Sequence, residues 1–276
     1  MHTDHVNTGG LAKRLEARLF AAVCVREITR PADVRELHFT RDYAQTERMF
    51  ERLAGRVPLA GRSVLDFGCG RGPTCTYAAL SGARRVVGVD VNRDHVEFAR
   101  QKLRRDYPKL QERVEFVLTQ GGLTELDGER FDVVISQNSF EHYPEPEAVV
   151  ADVIEALHPG GMFMVAFAPT WKAPGGGHLP ITSLPWAHLL FSEEVVMAQR
   201  RRLLPHEQYW TYEDCGINQM TLEKFRRIMD GAALECRFFA TNLGKRPVMK
   251  LARLASRVPG VREYFTQNVY SIWIRR

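Results

Sequence analysis

The sequence predicts a doubly wound α/β fold with an inserted cap. Short apolar runs alternate with helical segments between residues 59 and 168, and such alternation builds a parallel sheet covered on both faces. A glycine-rich segment follows the first apolar run, where doubly wound folds place their ligand crevice. Residues 169–218 interrupt the alternation with a long stretch rich in Gly and Pro, which predicts a cap or lid.

Each element has its own sequence signal. Apolar residues at near-helical spacing predict an amphipathic helix over residues 11–30, ended by Pro31, and a second helix over 41–53. Short apolar runs predict seven strands, at 63–67, 85–89, 114–118, 131–136, 162–168, 234–239 and 268–274. Helices are predicted between them at 74–80, 92–107, 145–157 and 221–229, the last with Thr221 as its N-cap.

Composition places the chain among globular proteins with a substantial core. Of 276 residues, 45% are hydrophobic and 26% are charged. No stretch approaches the ~20 apolar residues that span a bilayer, and the start of the chain lacks the apolar core of a signal peptide. The five cysteines show no CxxC spacing, so we expect free thiols rather than a zinc site. A cytoplasmic location follows from these expectations.

Positive charge is concentrated at the end of the chain. Residues 245–276 contain eight Lys or Arg and one acid, Glu263, whereas the net charge of the whole chain is +5. The remainder is therefore close to neutral, which argues against a nucleic-acid-binding surface. Within 245–262, Val248, Leu251 and Leu254 alternate with basic residues, as in a helix that lies on an anionic membrane. An ordinary surface helix has the same pattern.

The strongest chemical signal is the segment 64–72, Val-Leu-Asp-Phe-Gly-Cys-Gly-Arg-Gly. An apolar strand runs into Asp66 and then into three glycines at alternate positions, Gly68, Gly70 and Gly72. Glycines there let the backbone turn sharply and approach a ligand closely. A second acid, Asp90, ends the next strand, where a carboxylate can accept hydrogen bonds from the ribose hydroxyls of an adenosine.

Two other interpretations of the glycine segment remain open. The glycines could serve only to pack a helix against a strand. They could also belong to a nicotinamide or flavin dinucleotide site, but Pro73 stands where that pattern has its third glycine. A proline suits the first turn of a helix and does not fit the dinucleotide pattern.

The segment 64–72, together with Asp90, residues 131–134 (Phe-Asp-Val-Val), Glu141-His142 and residues 157–161 (Leu-His-Pro-Gly-Gly), resembles the class I S-adenosylmethionine-dependent methyltransferases. The resemblance covers about residues 60–168. It implies a Rossmann-like, mostly parallel seven-stranded sheet whose last strand is antiparallel. It also implies one domain over 1–276, with N-terminal helices in 1–58, a cofactor-binding core in 59–168, the cap in 169–218 and the last helix and strands in 219–276.

The resemblance assigns roles around S-adenosylmethionine. Asp66 and the glycine segment, including Cys69, are expected near the methionine end, and Asp90 on the ribose. Val91 is expected to contact the adenine, beside Gln120 and Gly121, which stand where the family usually has an acid; a glutamine carbonyl can still accept from the adenine amine. Gln137, after the fourth strand, is expected along the methionine moiety.

Candidate catalytic residues follow the fourth and fifth strands. Methyl transfer is an in-line displacement that needs alignment and desolvation, and a hydroxyl acceptor also needs a base. Glu141-His142 matches an acid–His pair of the family, although His142 could instead only hold a loop. His178 follows a Gly-rich cap loop that could close over the acceptor, and we slightly favour it as the base. One acid–His pair supplies too few ligands to predict a metal.

The cap is rich in aromatic residues that could wall an acceptor pocket and exclude water, or could simply form the core of the cap. They are Trp171, Trp186, Tyr209, Trp210 and Tyr212. We therefore expect a methyltransferase acting on a small molecule, with O-methylation preferred. An aminopropyl-type transferase on the same fold and a non-catalytic cofactor-binding protein are the alternatives. The sequence indicates neither the acceptor nor the oligomeric state.

Overall fold

A seven-stranded sheet organises the molecule. The computed structural model describes residues 10–24, 34–244 and 247–276. Its strands are β1 (Ser63–Phe67), β2 (Arg85–Asp90), β3 (Val114–Leu118), β4 (Phe131–Gln137), β5 (Leu157–Phe167), β6 (Leu234–Thr241) and β7 (Val269–Arg275). They lie in the order β3-β2-β1-β4-β5-β7-β6. The first five strands are parallel, and β7 runs antiparallel to both neighbours, which confirms the predicted fold class.

Helices flank the sheet and connect its strands. They are α1 (Gly10–Ala22), α2 (Val34–Leu53), α3 (Pro73–Leu80), α4 (Arg93–Asp106), α5 (Pro146–Ala156), α6 (Ala187–Leu190), α7 (Glu193–Leu203), α8 (Leu222–Asp230) and α9 (Pro247–Ala255). Thr221 caps α8 as predicted, because its hydroxyl accepts a hydrogen bond from the amide of Lys224 at 3.0 Å. No helix in the described ranges is long and apolar enough to cross a bilayer.

The two N-terminal helices differ from their predicted bounds. The first ends at Ala22 rather than near residue 30, and Cys24 forms a bridge with Thr182 of the cap. Pro31, predicted to end that helix, lies outside the described residues. The second begins at Val34 rather than near Arg41. Its first two turns carry mixed polar and apolar side chains and show no clear stripe, so propensity and tertiary contacts extend the helix.

The fifth strand begins earlier than predicted. Residues 157–161 resemble a turn in the sequence, but Leu157 already pairs with Phe131 of β4, and a register shift follows before Met162 pairs with Val133. Strand β5 therefore starts at Leu157 instead of Met162 and ends at Phe167. The residues between Leu157 and Met162 form an irregular stretch of the strand, after which the regular pairing continues to Gln137 and Ala166.

Two hydrophobic clusters cover the faces of the sheet, because parallel strands are buried on both sides. One cluster joins Leu65 and Val134 to residues of α5 and α8, such as Val153 and Phe225. The other joins Val64 to residues of α2 and α3. The sheet is thereby held rigidly, and its carboxyl edge is where side chains are free to build a site.

The segment expected to form the cap, residues 169–218, lies between β5 and α8 and has a small core of its own. This third cluster includes Ile181, Val196 and Tyr212, and Phe20 of α1 packs into it. Phe20 and Phe191 have ring centroids 4.7 Å apart. The N-terminal helix is therefore part of the same packed unit as the cap.

Candidate functional site

The glycine loop, residues 68–72, turns the chain from β1 into α3. Gly68, Gly70 and Gly72 have φ values of 78°, 54° and 84°, in the left-handed region that favours glycine. Two of them are also crowded. An added Cβ would lie 2.6 Å from the Ser139 hydroxyl at Gly68 and 2.6 Å from the Phe116 ring at Gly72. The sequence requirement for glycine therefore has both a conformational and a steric cause.

Gly70 differs from its neighbours because its α-carbon faces open space. An added Cβ there would meet no atom of the described residues within 4 Å. Its amide donates to Asp90 Oδ2 at 2.8 Å, and the amide of Asn92 donates to Asp90 Oδ1 at 2.8 Å. Asp90 thus ties the glycine loop to the end of β2, a role that the sequence did not reveal. Each carboxylate oxygen keeps a further lone pair for a ligand hydroxyl.

Asp66 lies beneath the glycine loop rather than in the open crevice. It is 2% exposed, and its carboxylate accepts a hydrogen bond from the Cys75 thiol at 3.3 Å. Burial, against the lowering effect of the Cys75 hydrogen bond and with a smaller contribution from the charge of Asp90, raises the pKa of Asp66 to about 7. Cys69 is buried beside it. The geometry therefore gives Asp66 and Cys69 a supporting position under the loop.

The predicted adenine side carries an acid that the sequence analysis missed. Val91 is 64% exposed next to Asp90. The amide of Gln120 donates to Glu125 Oε1 at 3.1 Å, and Gly121 has a φ of 106°. Glu125 therefore brings a carboxylate to the segment where the family usually has an acid. The sequence analysis missed Glu125 because it stands five residues after Gln120, in a short 3-10 turn.

Helix α2 closes the end of the crevice where the methionine moiety of the cofactor is expected. Gln137 Oε1 accepts hydrogen bonds from the hydroxyls of Thr46 at 3.0 Å and Thr74 at 3.1 Å. Thr46 comes from α2 and Thr74 from the first turn of α3. Gln137 is therefore held in a fixed orientation between the glycine loop and α2. No sequence signal pointed to Thr46, because its contact depends on how α2 packs.

The β4 turn, residues 139–143, connects the glycine loop with the cap. Ser139 donates its hydroxyl to the carbonyl of Gly68 at 2.9 Å, and the Tyr143 hydroxyl donates to the carbonyl of Phe67 at 2.8 Å. From the other side, Asn218 Nδ2 donates to the carbonyls of Phe140 and Tyr143, both at 2.8 Å. The turn that carries the acid–His pair is thus fixed at both ends.

Glu141 and His142 are adjacent in sequence, but they occupy opposite environments. Glu141 is 2% exposed, and desolvation raises its pKa to about 8, although the amides of Glu141 and Ala168 donate to it. Its carboxyl group is therefore mostly protonated at neutral pH. His142 is exposed, and its Nδ1 lies 2.7 Å from the carbonyl oxygen of Gly216. Because a carbonyl only accepts, Nδ1 carries the proton and Nε2 keeps a free lone pair.

His178 meets His142 across the boundary between the turn and the cap. Their ring centroids are 5.3 Å apart, and His178 has a φ of 48°. Desolvation, together with the charges of His142, His188 and Arg200, lowers the pKa of His178 to about 4. Its Nε2 is buried without a hydrogen-bond partner among the residues that the structure describes. The structure thus brings both candidate bases together, with His178 as the weaker base.

The five cap aromatics have separate settings. Trp171 and Tyr212 pack edge to face with centroids 4.8 Å apart, inside the cap core. Trp186 donates its indole N–H to the carbonyl of Lys172 and contacts Phe265. Tyr209 and Trp210 lie against Arg200 and Arg201, with the Arg201 guanidinium 3.7 Å from the Trp210 ring centroid. They do not form one continuous wall.

A groove of about 480 Å³ opens at the carboxyl ends of β4 and β5. Gln137 and Asn138 line one end, and the α2 face that carries Arg48 and Arg52 lines a side. None of the five cap aromatics lines it. Within the described part of the chain, no three His, Cys, Asp or Glu residues are placed to hold a metal ion.

The chain is similar to known methyltransferases. Residues 64–161 match a family model described as a methyltransferase domain. Over 121 residues the chain is 33% identical to "Methyltransferase GfsG" of Streptomyces halstedii, covering 44% of this chain and 43% of that relative. Over 119 residues it is 34% identical to a ubiquinone biosynthesis O-methyltransferase of Chelativorans sp., covering 43% and 45%.

The relatives and the solved structures cover different lengths. The matched segments span less than half of these curated relatives. A solved structure of an S-adenosylmethionine-dependent methyltransferase from Mesorhizobium loti aligns with a TM-score of 0.55 at 14% identity, covering 82% of this chain and 96% of that one. Its likeness extends the shared fold beyond the segment that the sequence comparison reaches.

Proposed function

We propose, since the chain belongs to the class I S-adenosylmethionine-dependent methyltransferase family, that it transfers the methyl group of S-adenosylmethionine to a hydroxyl oxygen of a small-molecule acceptor. The observation that carries the proposal is the open crevice at Gly70, bordered by the Asp90 carboxylate. When bound, the cofactor supplies an electrophilic methyl group on a sulfonium. The chain itself has to hold, align and desolvate the reactants.

The cofactor residues divide into direct contacts and support. Asp90 would accept hydrogen bonds from the ribose hydroxyls, and Val91 and the Gln120-Gly121 segment would border the adenine together with Glu125. Gln137 would lie along the methionine moiety. Gly68, Gly70 and Gly72 provide the close backbone approach, whereas Asp66 and Cys69 support the loop from below.

His142 is the base that we propose for removing the acceptor proton. Its Nδ1–H is engaged by the Gly216 carbonyl, which leaves Nε2 as the acceptor nitrogen on an exposed ring. This is the tautomer that a general base needs. His178, which the sequence slightly favoured, is a poorer base because burial lowers its pKa to about 4. Glu141 supports the turn rather than sharing the proton.

O-methylation is preferred over the alternatives for two reasons. A histidine base is needed for a hydroxyl acceptor and is not needed for an amine, and one relative is named as an O-methyltransferase. An aminopropyl-type transferase would need ionised carboxylates to hold a diamine after β4. Glu141, the acid in the β4 turn, is buried with a raised pKa. A non-catalytic cofactor-binding role predicts binding without turnover.

The C-terminal helix supports a proposal of peripheral contact with anionic membranes. Leu251 and Leu254 of α9 are 66% and 59% exposed, beside the exposed Lys250 and Arg253. Basic and apolar side chains that share an exposed helix can enter the interface of an anionic bilayer. The site would then face acceptors that are dissolved in, or linked to, lipid.

Calorimetry with S-adenosylmethionine tests the proposed cofactor site. Asp90→Ala should weaken binding by roughly 1–3 kcal/mol, because it removes hydrogen bonds to a charged acceptor and also frees the Gly70 amide. Asp94→Ala, which removes an exposed carboxylate from the first turn of α4, is the matched control and should bind like wild type. Absence of binding to wild type, or equal binding by Asp90→Ala, would contradict the proposal.

A further inference from the structure

Two guanidinium groups line the groove beside α2. Arg48 and Arg52 stand one turn apart on the helix face that also presents Gln45 and Met49 to the groove. Residues at i and i+4 are neighbours on a helix surface, so the two side chains can approach one ligand group together. Arg48 is exposed and Arg52 is half-buried.

The positive charge of this pair is not neutralised. No Asp or Glu lines the groove, and neither arginine has an acidic partner within 4 Å among the described residues. Arg52 donates to the Tyr270 hydroxyl and lies 5.7 Å from that ring centroid. By contrast, Arg41 of the same helix pairs with Asp42. An unpaired guanidinium pair in a groove favours a bound anion.

The rest of the groove is mixed in polarity. Apolar side chains, among them Met49, Phe167, Leu243 and Met249, alternate with the amide side chains of Gln45, Gln137, Asn138 and Asn268. An organic anion with both apolar and hydrogen-bonding groups fits this lining better than a bare inorganic ion, because each kind of side chain then has a matching partner. Its volume of about 480 Å³ admits a small organic molecule.

The groove leads to the proposed site of methyl transfer. Gln137 lines it, and the same side chain amide oxygen accepts from Thr74 directly after the glycine loop. Asn138, also in the lining, donates to Gln45 of α2 at 3.1 Å. A ligand whose charged group reaches Arg48 and Arg52 can thus extend its other end toward the crevice.

We infer that the groove binds the acceptor and that this acceptor carries an oxyanion, a carboxylate or a phosphate, which Arg48 and Arg52 recognise. The inference rests on the proposed function for the reaction, but the anion site stands on the groove itself. Guanidinium groups match both oxyanions by paired N–H···O bonds. The opposite end of the ligand, which carries the reacting hydroxyl, extends past Gln137 and the β4 turn toward His142, which borders the adjoining cavity with Gly216 and Asn218.

The test measures binding of three matched probes by calorimetry, with and without saturating S-adenosylhomocysteine. They are 4-hydroxybenzoate, 4-hydroxyphenyl phosphate and the uncharged 4-hydroxybenzamide. The two anions should bind at least about tenfold more tightly than the amide, since hydrogen bonds to charged groups are the strong ones. The ratio of the two anions shows whether the site prefers carboxylate or phosphate.

Variants assign the effect to the groove. Arg48→Gln and Arg52→Gln should each weaken anion binding by roughly 10- to 100-fold and leave amide binding unchanged. Arg41→Gln removes the same charge from the same helix outside the groove and should bind like wild type. If Arg52→Gln lowers the melting temperature, the result of Arg48→Gln decides. Arg48 has no hydrogen-bond or ion-pair partner among the described residues, so its replacement should not destabilise the fold.

The outcomes separate this inference from the proposed function. Binding of S-adenosylhomocysteine without preference for the anionic probes would overturn the anion site and leave the methyltransferase proposal standing. An equal loss of anion affinity in Arg41→Gln would also overturn it, since the effect would then be one of net charge. Anion binding in a protein that does not bind S-adenosylhomocysteine would support the site and contradict the proposed reaction.

Discussion

The cofactor crevice and the α2 groove lie at the same edge of the sheet, but they are built in different ways. The crevice comes from two short segments, the glycine loop and the end of β2, which parallel pairing of β1 with β2 brings together. The groove needs α2, the ends of β4 and β5, and the segments around α9 and β7. The first is local in sequence, and the second depends on tertiary packing.

This difference indicates which side of the site can vary in its specificity for the bound molecule. A fixed strand pairing and three constrained glycines leave the crevice little freedom, which suits a shared cofactor. The groove combines buried strand residues such as Phe167 with exposed positions of α2 such as Arg48 and with the connecting segment at residues 243–244. Substitutions at the exposed positions and in the connecting segment cost the fold little. The acceptor side can therefore change while the cofactor side stays the same.

The largest expected effect concerns the base on the acceptor side. His142→Ala should lower kcat by roughly 10²–10⁴-fold with a hydroxyl acceptor, because proton removal is lost. His178→Ala should have a smaller effect, since burial makes it a weak base. Release of S-adenosylhomocysteine with the fastest acceptor measures kcat, and cofactor affinity should stay unchanged.

Two further variants distinguish a base from a structural histidine. His142→Asn places an amide N–H where Nδ1 lies and can still donate to the Gly216 carbonyl, so it should remain as inactive as His142→Ala if the histidine is the base. His158→Ala, at the exposed start of β5, is the control. Near-normal kcat in both His142 variants would mean that the acceptor side only aligns the reactants, which favours an amine or a thiolate acceptor.

An intermediate effect is expected at Glu141, the buried acid of the β4 turn. Desolvation raises the pKa of Glu141 in the folded protein to about 8 from its ordinary value of 4.5. The folded state then holds more protons than the unfolded state, so the free energy of unfolding should fall as pH rises from about 4.5 to 8. The fall should amount to a few kcal/mol, because a tenfold change in proton affinity corresponds to about 1.4 kcal/mol.

Urea unfolding at several pH values measures this slope. Glu141→Gln should flatten it, because an amide does not titrate, while the exposed Glu145→Gln should leave it as in wild type. A wild-type slope that persists in Glu141→Gln would show that other groups, such as Asp66 with its raised pKa, account for the pH dependence.

The smallest expected effect tests whether the acceptor side extends to a membrane surface. The full chain should sediment with anionic vesicles and only weakly with neutral ones, and binding should weaken with salt, since charges are screened over ~10 Å at 0.1 M. Leu251→Ser with Leu254→Ser should reduce binding, whereas Leu80→Ser, similarly exposed at the end of α3, should not. Equal sedimentation with neutral and anionic vesicles would argue against the proposal.

The contrast between local features and features that depend on tertiary packing also explains which parts of the structure the sequence could predict. The strands were located because parallel strands buried on both faces appear as apolar runs. The pairing at Leu157 was missed because Pro and Gly resemble a turn. Arg48, Arg52 and Thr46 were missed because helical periodicity does not tell which neighbour a face meets. The sequence left open whether Trp171 and Tyr212 line an acceptor pocket or form the core of the cap, and both pack in that core.

Asn218 fixes the β4 turn, which follows the groove residue Asn138 and contacts the glycine loop of the crevice. Its side chain holds the β4 turn through two carbonyls, its amide donates to the Glu141 carbonyl at 3.0 Å, and Lys224 donates to its carbonyl at 3.1 Å. The β4 turn also holds the glycine loop, because Ser139 donates a hydrogen bond to the carbonyl of Gly68. A ligand that shifts the turn must therefore change both its contact with Asn218 and its contact with the glycine loop. We therefore expect heterotropic linkage, in which cofactor and acceptor change each other's affinity by the same factor.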